Sequence, residues 1–307
     1  MDVVCLGILV ADVIARPVDA APFAGSLGLV DEIEVHAGGC AVNAASALVA
    51  LGLGASIVGK VGDDLFGDYL LGVLDERRVA RDGVLRDEHA GTSTSVVLVD
   101  SSGERTFLHV PGANSALTEG ELDPELLYAG RALHLAGALV MEGLDGGPFA
   151  RIAADARRRG IITSLDTVWD PTGRWSRLEP CLPHLDYLLP SLAEGRALSG
   201  RTEPPEVAAW LRARGVRNVL LTMGADGCYV AGGGFEGRVP APLVDAVDGT
   251  GAGDAFAAGV LYGALRGRSL ESCARLGCAA GAIASTTVGA ALGGKGAAGV
   301  LELAKLT

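Results

Sequence analysis

The order of its apolar runs is what most constrains how this chain folds. Short runs with the look of buried strands, at residues 3–10, 55–61, 132–135, 161–165, 187–189 and 218–222, alternate with helical stretches at 41–51, 65–77, 148–159, 205–214, 253–265 and 270–285. Alternating strand and helix favour a mostly parallel sheet with helices on both faces. Two stretches break the alternation. Residues 11–37 contain Pro17 and Pro22 and then Leu29-Val30-Asp31-Glu32-Ile33-Glu34-Val35-His36, whose alternation suits a half-exposed antiparallel strand. Residues 94–99 and 105–110 flank Ser101-Ser102-Gly103-Glu104 and read as a hairpin. The chain is therefore expected to be one three-layer α/β/α domain over residues 1–307. The insertions at about 13–37 and 92–112 are expected to pair as a small β-sheet lid that excludes water.

Composition removes several function classes. Forty-nine per cent of the 307 residues are apolar, enough for a large core. A net charge of −12 argues against a nucleic-acid backbone as partner, and 5% aromatics against base-stacking platforms. The six cysteines form no CxxC pair and read as reduced thiols in a cytoplasmic protein. Met1-Asp2-Val3-Val4 has no basic leader region, and the uncharged stretch 277–294 is rich in Gly, Ala, Ser and Thr. It reads as a buried helix running into a loop, so no membrane partner is expected.

The chemistry concentrates in Asp248-Gly249-Thr250-Gly251-Ala252-Gly253-Asp254, which opens a small, apolar helical run. Glycine lets backbone N–H groups approach an anion, and a helix N-terminus adds unpaired donors and a positive dipole end. A carboxylate there can take a proton from an alcohol. Taken alone, Asp254 reads equally as a helix cap. A second glycine site, Ala37-Gly38-Gly39-Cys40-Ala41-Val42-Asn43, lies between the first insertion and a helix, with Asn43 either a functional polar group or an incidental one. Asp12 ends the first apolar run, where α/β sheets present ligand groups, although a turn-forming Asp fits as well. Neither GxGxxG after the first strand nor GxxxxGK[ST] is present, which sets aside dinucleotide oxidoreductases and P-loop enzymes.

Together these residues resemble the ribokinase-like (PfkB) family of ATP-dependent carbohydrate kinases. The N-terminal signature runs from Gly38-Gly39 through Asn43 and Gly52 to Gly62. The C-terminal one is matched at Asp248, Gly251 to Asp254 and Ala258-Gly259. It departs at Gly249, where the family usually has Ser, Thr, Pro or Val. The resemblance covers essentially the whole chain and implies a ribokinase-like fold.

It also implies roles. Asp254 would be the catalytic base, and the N–H groups of Gly251, Ala252 and Gly253 would neutralise the transferring phosphoryl group. Asp12, Gly38, Gly39 and Asn43 fall where the family contacts sugar hydroxyls. Asn114 and Glu142 are candidates for the same pocket, and equally surface loop residues. Arg105 in the second insertion would lie near the phosphates, or in solvent. Thr222, Gly224 and Gly227 match the nucleotide loop, and Val244, Val247, Cys278 and Ala282 would line the adenine slot. The family's Asn-x-x-Glu motif appears as Ser191-Leu192-Ala193-Glu194, so Glu194 would reach Mg²⁺ through water with a shorter partner. Asp166 is a further acid for that metal. Asp248, Thr250, Ala284, Thr287 and Gly289 match a monovalent-cation (K⁺) site found in several members.

The acceptor is less legible. Several sugar-phosphate kinases of the family carry Lys where Cys40 stands, and the insertions hold only Phe23 and Phe107 for stacking on a nucleoside. A non-phosphorylated sugar or polyol, phosphorylated on a primary hydroxyl, is favoured. The alternatives are a nucleoside or a sugar phosphate as acceptor, or a catalytically weak sugar sensor. A homodimer through the lid would cover its exposed face.

Overall fold

Two sheets divide the strands of the computed structural model, which describes residues 1–20, 24–287, 292 and 295–306. In chain order the first half comprises β1 (Val3–Gly7), β2 (Val10–Arg16), β3 (Glu32–Gly38), α1 (Cys40–Ala50), β4 (Ala55–Gly62), α2 (Leu65–Glu76), β5 (Ala80–Asp87), β6 (Thr94–Val99), β7 (Arg105–Val110), α3 (Gly112–Ala116) and α4 (Pro124–Leu127). There follow β8 (Ala132–Ala138), α5 (Gly147–Arg158), β9 (Ile162–Thr167), β10 (Tyr187–Leu188), α6 (Leu192–Ser199), α7 (Pro204–Ala213), β11 (Asn218–Thr222), β12 (Cys228–Gly232), β13 (Phe235–Val239), α8 (Ala252–Ala264), α9 (Leu270–Ala284) and α10 (Gly296–Leu303).

Nine strands form the large sheet in the order β13-β12-β11-β10-β9-β8-β1-β4-β5. It is parallel except for β12, which runs antiparallel to both its neighbours, β11 and β13. Helices cover both faces. Val3 and Cys5 of β1 pack into one core with residues of α1, α2, α8 and α9. Val4 and Leu6 pack into the other with residues of α5 and α7. That split follows from the two-residue period of a strand. α8 and α9 lie almost backbone to backbone: a Cβ on Gly259 would meet the carbonyl oxygen of Leu276 at 2.5 Å. The small-residue run after Asp254 thus lets α9 seat α8, and with it the glycine-rich turn.

Residues 3–10, expected to be one strand, are two. β1 stays in the large sheet and β2 belongs to a separate four-stranded sheet, β3-β2-β6-β7. The break is held by Asn114. Its Oδ1 accepts from the Leu9 N–H at 3.1 Å and its Nδ2 donates to the Leu9 carbonyl at 2.8 Å. Asp12 therefore sits inside β2 and not at the end of the first strand. Both expected insertions supply the small sheet, with β2 antiparallel to β3 and parallel to β6, and β6 antiparallel to β7.

The two faces of the small sheet differ. Directly opposed residues share a face, and His36, Asp12, Ser95 and His109 form one row across all four strands. The opposite face presents Ile33, Val35, Val96, Leu108 and Val110, with Ile33 65% and Leu108 63% exposed. Among the described residues no helix is long and apolar enough to cross a membrane, and all six cysteines are free.

Candidate active site

Three helix N-termini and one strand end supply the acidic centre. Gly39, at φ 90°, caps α1 where a side chain has no room, since a Cβ would meet the Ile8 carbonyl oxygen at 2.5 Å. That turn puts Cys40 at the first position of α1 and Asn43 one turn on. Gly251, in the left-handed region at φ 72°, caps α8 and puts Asp254 in its first turn. Asp166 sits on β9, beside Ala136 of β8.

These residues meet across more than two hundred positions of sequence. Asn43 Nδ2 donates to Asp254 Oδ2 at 2.9 Å, and the Cys40 thiol donates to the same carboxylate. Asp254 and Asp166 are buried. Burial pushes the Asp254 carboxyl up to about 6, with the bonds from Asn43 and Cys40 pulling the other way. Asp166 is pushed well above the ordinary carboxyl range by burial, then by the charges of Asp254 and Glu194. A buried acid held at a helix N-terminus with a raised affinity for protons has the properties of a general base. Asn43 Oδ1 is buried with no donor, an acceptor left waiting for a hydroxyl.

The turn before α8 matches an anion site in part. Among the described residues no hydrogen bond takes the N–H of Gly251 or Gly253, while that of Ala252 reaches 3.2 Å back to the Gly249 carbonyl. A Cβ on Gly253 would meet nothing within 4 Å, so the backbone there opens onto space. That space is a cavity of ≈ 390 Å³. Of the residues expected to hold the nucleotide, Thr222, Gly224, Gly227, Val244, Cys278 and Ala282 line it, together with Ala252 and Gly253. Val247 does not: its N–H, like that of Asp248, is drawn to the Ser285 carbonyl, and its side chain is left 66% exposed.

The sugar-facing candidates separate. Asp12 lies against the glycine turn, for a Cβ on Gly38 would stand 2.2 Å from its Oδ2. Its carboxyl is raised by burial, against the bond from Ser95 and the charges of His109, His36 and Arg105. Asn114 departs from the expected role, because the Leu9 backbone takes one bond from each end of its amide and holds it as a strut between the two sheets. Glu142 departs from it as well: its carboxylate is at the surface, bonded to Arg174 and Arg177. Arg105 reaches out of the small sheet to the turn before α8, where it pairs with Asp248 Oδ1 at 2.7 Å and donates to Thr250 Oγ1.

Two expected metal sets look different in the structure. Ser191 and Glu194 form a reciprocal cap on α6. Ser191 N and Oγ both donate to Glu194 Oε2 at 2.7 Å, so Ser191 is tied to its own helix. The charge of Glu194 reaches Asp166, and such a pair of acids fits Mg²⁺ held through water. In the monovalent-cation set, Asp248 Oδ1 is shared by Arg105 and the Thr250 N–H, Ala284 is buried at the end of α9, Thr287 follows that helix, and Gly289 lies outside the described residues.

Sequence reasoning missed several site residues. Cys40 was weighed for the charge it lacks, not for the bond its thiol makes. The partners of Asp12, namely Ser95, His36 and His109, emerge only once the strand register is known. Ala241, Pro242 and Leu243, which also line the cavity, stand in an apolar loop whose one signal was a fully exposed Leu, visible only in the structure.

The pfkB family carbohydrate kinase profile matches residues 1–294. Fructokinase-2 of Zea mays is 32% identical over 272 residues, covering 82% of this chain and 80% of the plant protein. Among solved structures, Arabidopsis thaliana ribokinase complexed with ribose and ATP superposes with a TM-score of 0.86 at 25% identity, covering 100% of this chain and 99% of that one. Fructokinase with bound ATP from Xylella fastidiosa gives 0.81 at 26% identity, covering 99% and 98%. The chain belongs to the pfkB family of carbohydrate kinases and has the ribokinase-like α/β fold. It is an ATP-dependent kinase that phosphorylates a sugar.

Proposed function

We propose that the acceptor is a non-phosphorylated sugar or polyol, phosphorylated on a primary hydroxyl, with Asp254 as the base. The observation that carries this reading is the bond from Asn43 to Asp254, buried in the first turn of α8 beside the opening onto the ≈ 390 Å³ cavity. An acceptor hydroxyl placed there gives its proton to Asp254. The N–H groups at 251–253 face the phosphoryl group as its charge develops, which is the larger part of catalysis in phosphoryl transfer. Thr222, Gly224, Gly227, Cys278 and Ala282 hold the nucleotide. Glu194, with Asp166, would hold Mg²⁺ through water, and the metal would supply countercharge to the phosphates.

Asp12, Gly38, Gly39 and Asn43 receive the sugar, and the small sheet above them serves as the lid. Asp12, Asp166, Asp254 and Glu194 make the acceptor side acidic, and Arg105 is engaged by Asp248. Both features disfavour an acceptor that already carries a phosphate. The fructokinase relatives make fructose the first acceptor to test. The open apolar face with Ile33 and Leu108 supports a homodimer through the lid, since a second copy would cover it.

The test is ADP release with Mg²⁺ and ATP over a panel of ketohexoses, aldohexoses, pentoses, polyols, nucleosides and sugar phosphates. Turnover is expected with a non-phosphorylated sugar or polyol. Preference for a sugar phosphate or a nucleoside would overturn the acceptor assignment, and ligand binding without turnover would favour a sensor.

A further inference from the structure

Cys40 has a second property beyond its bond to the base. Its thiol sulfur, a carboxylate oxygen of Asp166 and one of Asp254 all lie within 4.8 Å of one another. The three come from α1, β9 and α8, so packed elements fix their spacing. The charges that bear on Cys40 are those of Asp254, Asp166 and Glu194, and those on Asp166 are Asp254 and Glu194. Each comes from an acid, and no cation bears on either group. Among the described residues Asn43 supplies the other donor on Asp254, a neutral amide, and the oxygen of that same buried amide has no donor of its own. A converging sulfur and two oxygens, surrounded by acids and by an acceptor without a donor, lack a cation.

The chemistry of the donors selects which cation. Mg²⁺ is hard, prefers six oxygens, and keeps much of its water, so a sulfur ligand is a poor match. Zn²⁺ accepts sulfur and carboxylate oxygen together in a tetrahedral set and leaves a fourth position to water. Cd²⁺ shares its affinity for sulfur.

We propose that Cys40, Asp166 and Asp254 form an inhibitory site for a thiophilic divalent cation, Zn²⁺ or Cd²⁺, which takes Asp166 away from the proposed Mg²⁺ position and differs from it in the sulfur ligand of Cys40. Binding exchanges protons for the metal: the S–H bond of Cys40 breaks as its sulfur pair forms an S–metal bond, the proton held on the raised Asp166 carboxyl leaves as its oxygen binds, both protons go to solvent, and nothing is oxidised or reduced. The bound cation holds the Asp254 carboxylate, which can then no longer take the acceptor proton. This inhibition rests on Asp254 being the base, whereas metal binding does not.

The experiment titrates Cd²⁺ into the reduced full-length chain and follows the ultraviolet thiolate-to-Cd²⁺ charge-transfer band. In parallel, Zn²⁺ inhibition of ADP release is measured at fixed Mg–ATP. The variants are Cys40→Ala, Cys40→Ser and Cys228→Ala. Cys228 is the control because its sulfur lies 3.6 Å from that of Cys278, a pair of thiols that could bind Cd²⁺ in place of Cys40. The wild type and Cys228→Ala are expected to show the band, and both Cys40 variants to lose it. Zn²⁺ inhibition is expected to be relieved by more acceptor but not by more ATP. The concentration needed for half-inhibition is expected to rise at least ~10-fold in the Cys40 variants, each measured against its own uninhibited rate. A band kept in Cys40→Ser, or lost in Cys228→Ala, or absent from the wild type overturns the site. A band that depends on Cys40 in a chain with no kinase turnover leaves the site standing and removes the role of Asp254.

Discussion

The large sheet is buried on both faces and carries the acidic centre and the nucleotide cavity at its helix N-termini. The small sheet carries a polar row on one face, Asp12 with His36, Ser95 and His109, and leaves the other face apolar and open. The difference separates two tasks. Phosphoryl transfer needs a fixed base, N–H groups and a nucleotide seat, and packing such as Gly259 against Leu276 fixes them rigidly. Choice of acceptor needs side chains that close over whatever arrives, and a two-faced sheet tethered at Leu9 by Asn114 can provide them. Arg105, from β7, bonds across the divide to Asp248 and Thr250.

The comparison breaks if changes on one side act like changes on the other. The largest effect is expected from Asp254→Asn, which removes the proposed base and keeps the side-chain shape. kcat should fall at least ~10²-fold while ATP binding, read by calorimetry, persists. The same variant is expected to melt higher than wild type at neutral pH. The folded Asp254 holds its proton up to about 6, above the ordinary value of ~4, so folding loses stability as pH rises through that window, and Asn carries no such charge. A lower melting temperature in Asp254→Asn would show the carboxylate to be a structural cap instead.

On the lid side, Asp12→Asn is expected to raise KM for the acceptor ~10-fold and leave KM for ATP in place, because only acceptor contacts change. Equal loss for both substrates would erase the division of tasks. Leu108→Glu on the open face is expected to leave the initial rate within ~2-fold at saturating substrates and to convert the proposed dimer to a monomer in sedimentation. A wild type that sediments as a monomer at micromolar concentration would contradict the proposed pairing.

Much of this was legible in the sequence, and the limits have physical causes. Local patterns exposed the alternation, the two insertions and the glycine turns at 38–39 and 251–253, because each depends on neighbours in the chain. β5 was missed because Ala80-Arg81-Asp82-Gly83-Val84-Leu85-Arg86-Asp87 is an edge strand with charges, where burial does not impose a pattern. The hairpin of β12 and β13 was missed although Gly232-Gly233-Gly234 marks its turn. Asn114 shows the opposite failure. A polar residue after a lid strand invites a binding role, and only the fold reveals that the Leu9 backbone takes both ends of its amide. Likewise the Cys40, Asn43, Asp166 and Asp254 grouping joins positions far apart in sequence, which no single motif spans.

The central claim is that a buried carboxylate at the N-terminus of α8 takes the acceptor proton. It is tested most directly by the pH dependence of kcat/KM for the best acceptor at saturating Mg–ATP. The ionised base is the active form, and Asp254 is held up to about 6, so the rate is expected to be level at neutral pH and to fall as pH drops through about 6. A profile that stays level down to the ordinary carboxyl range near ~4 would contradict it.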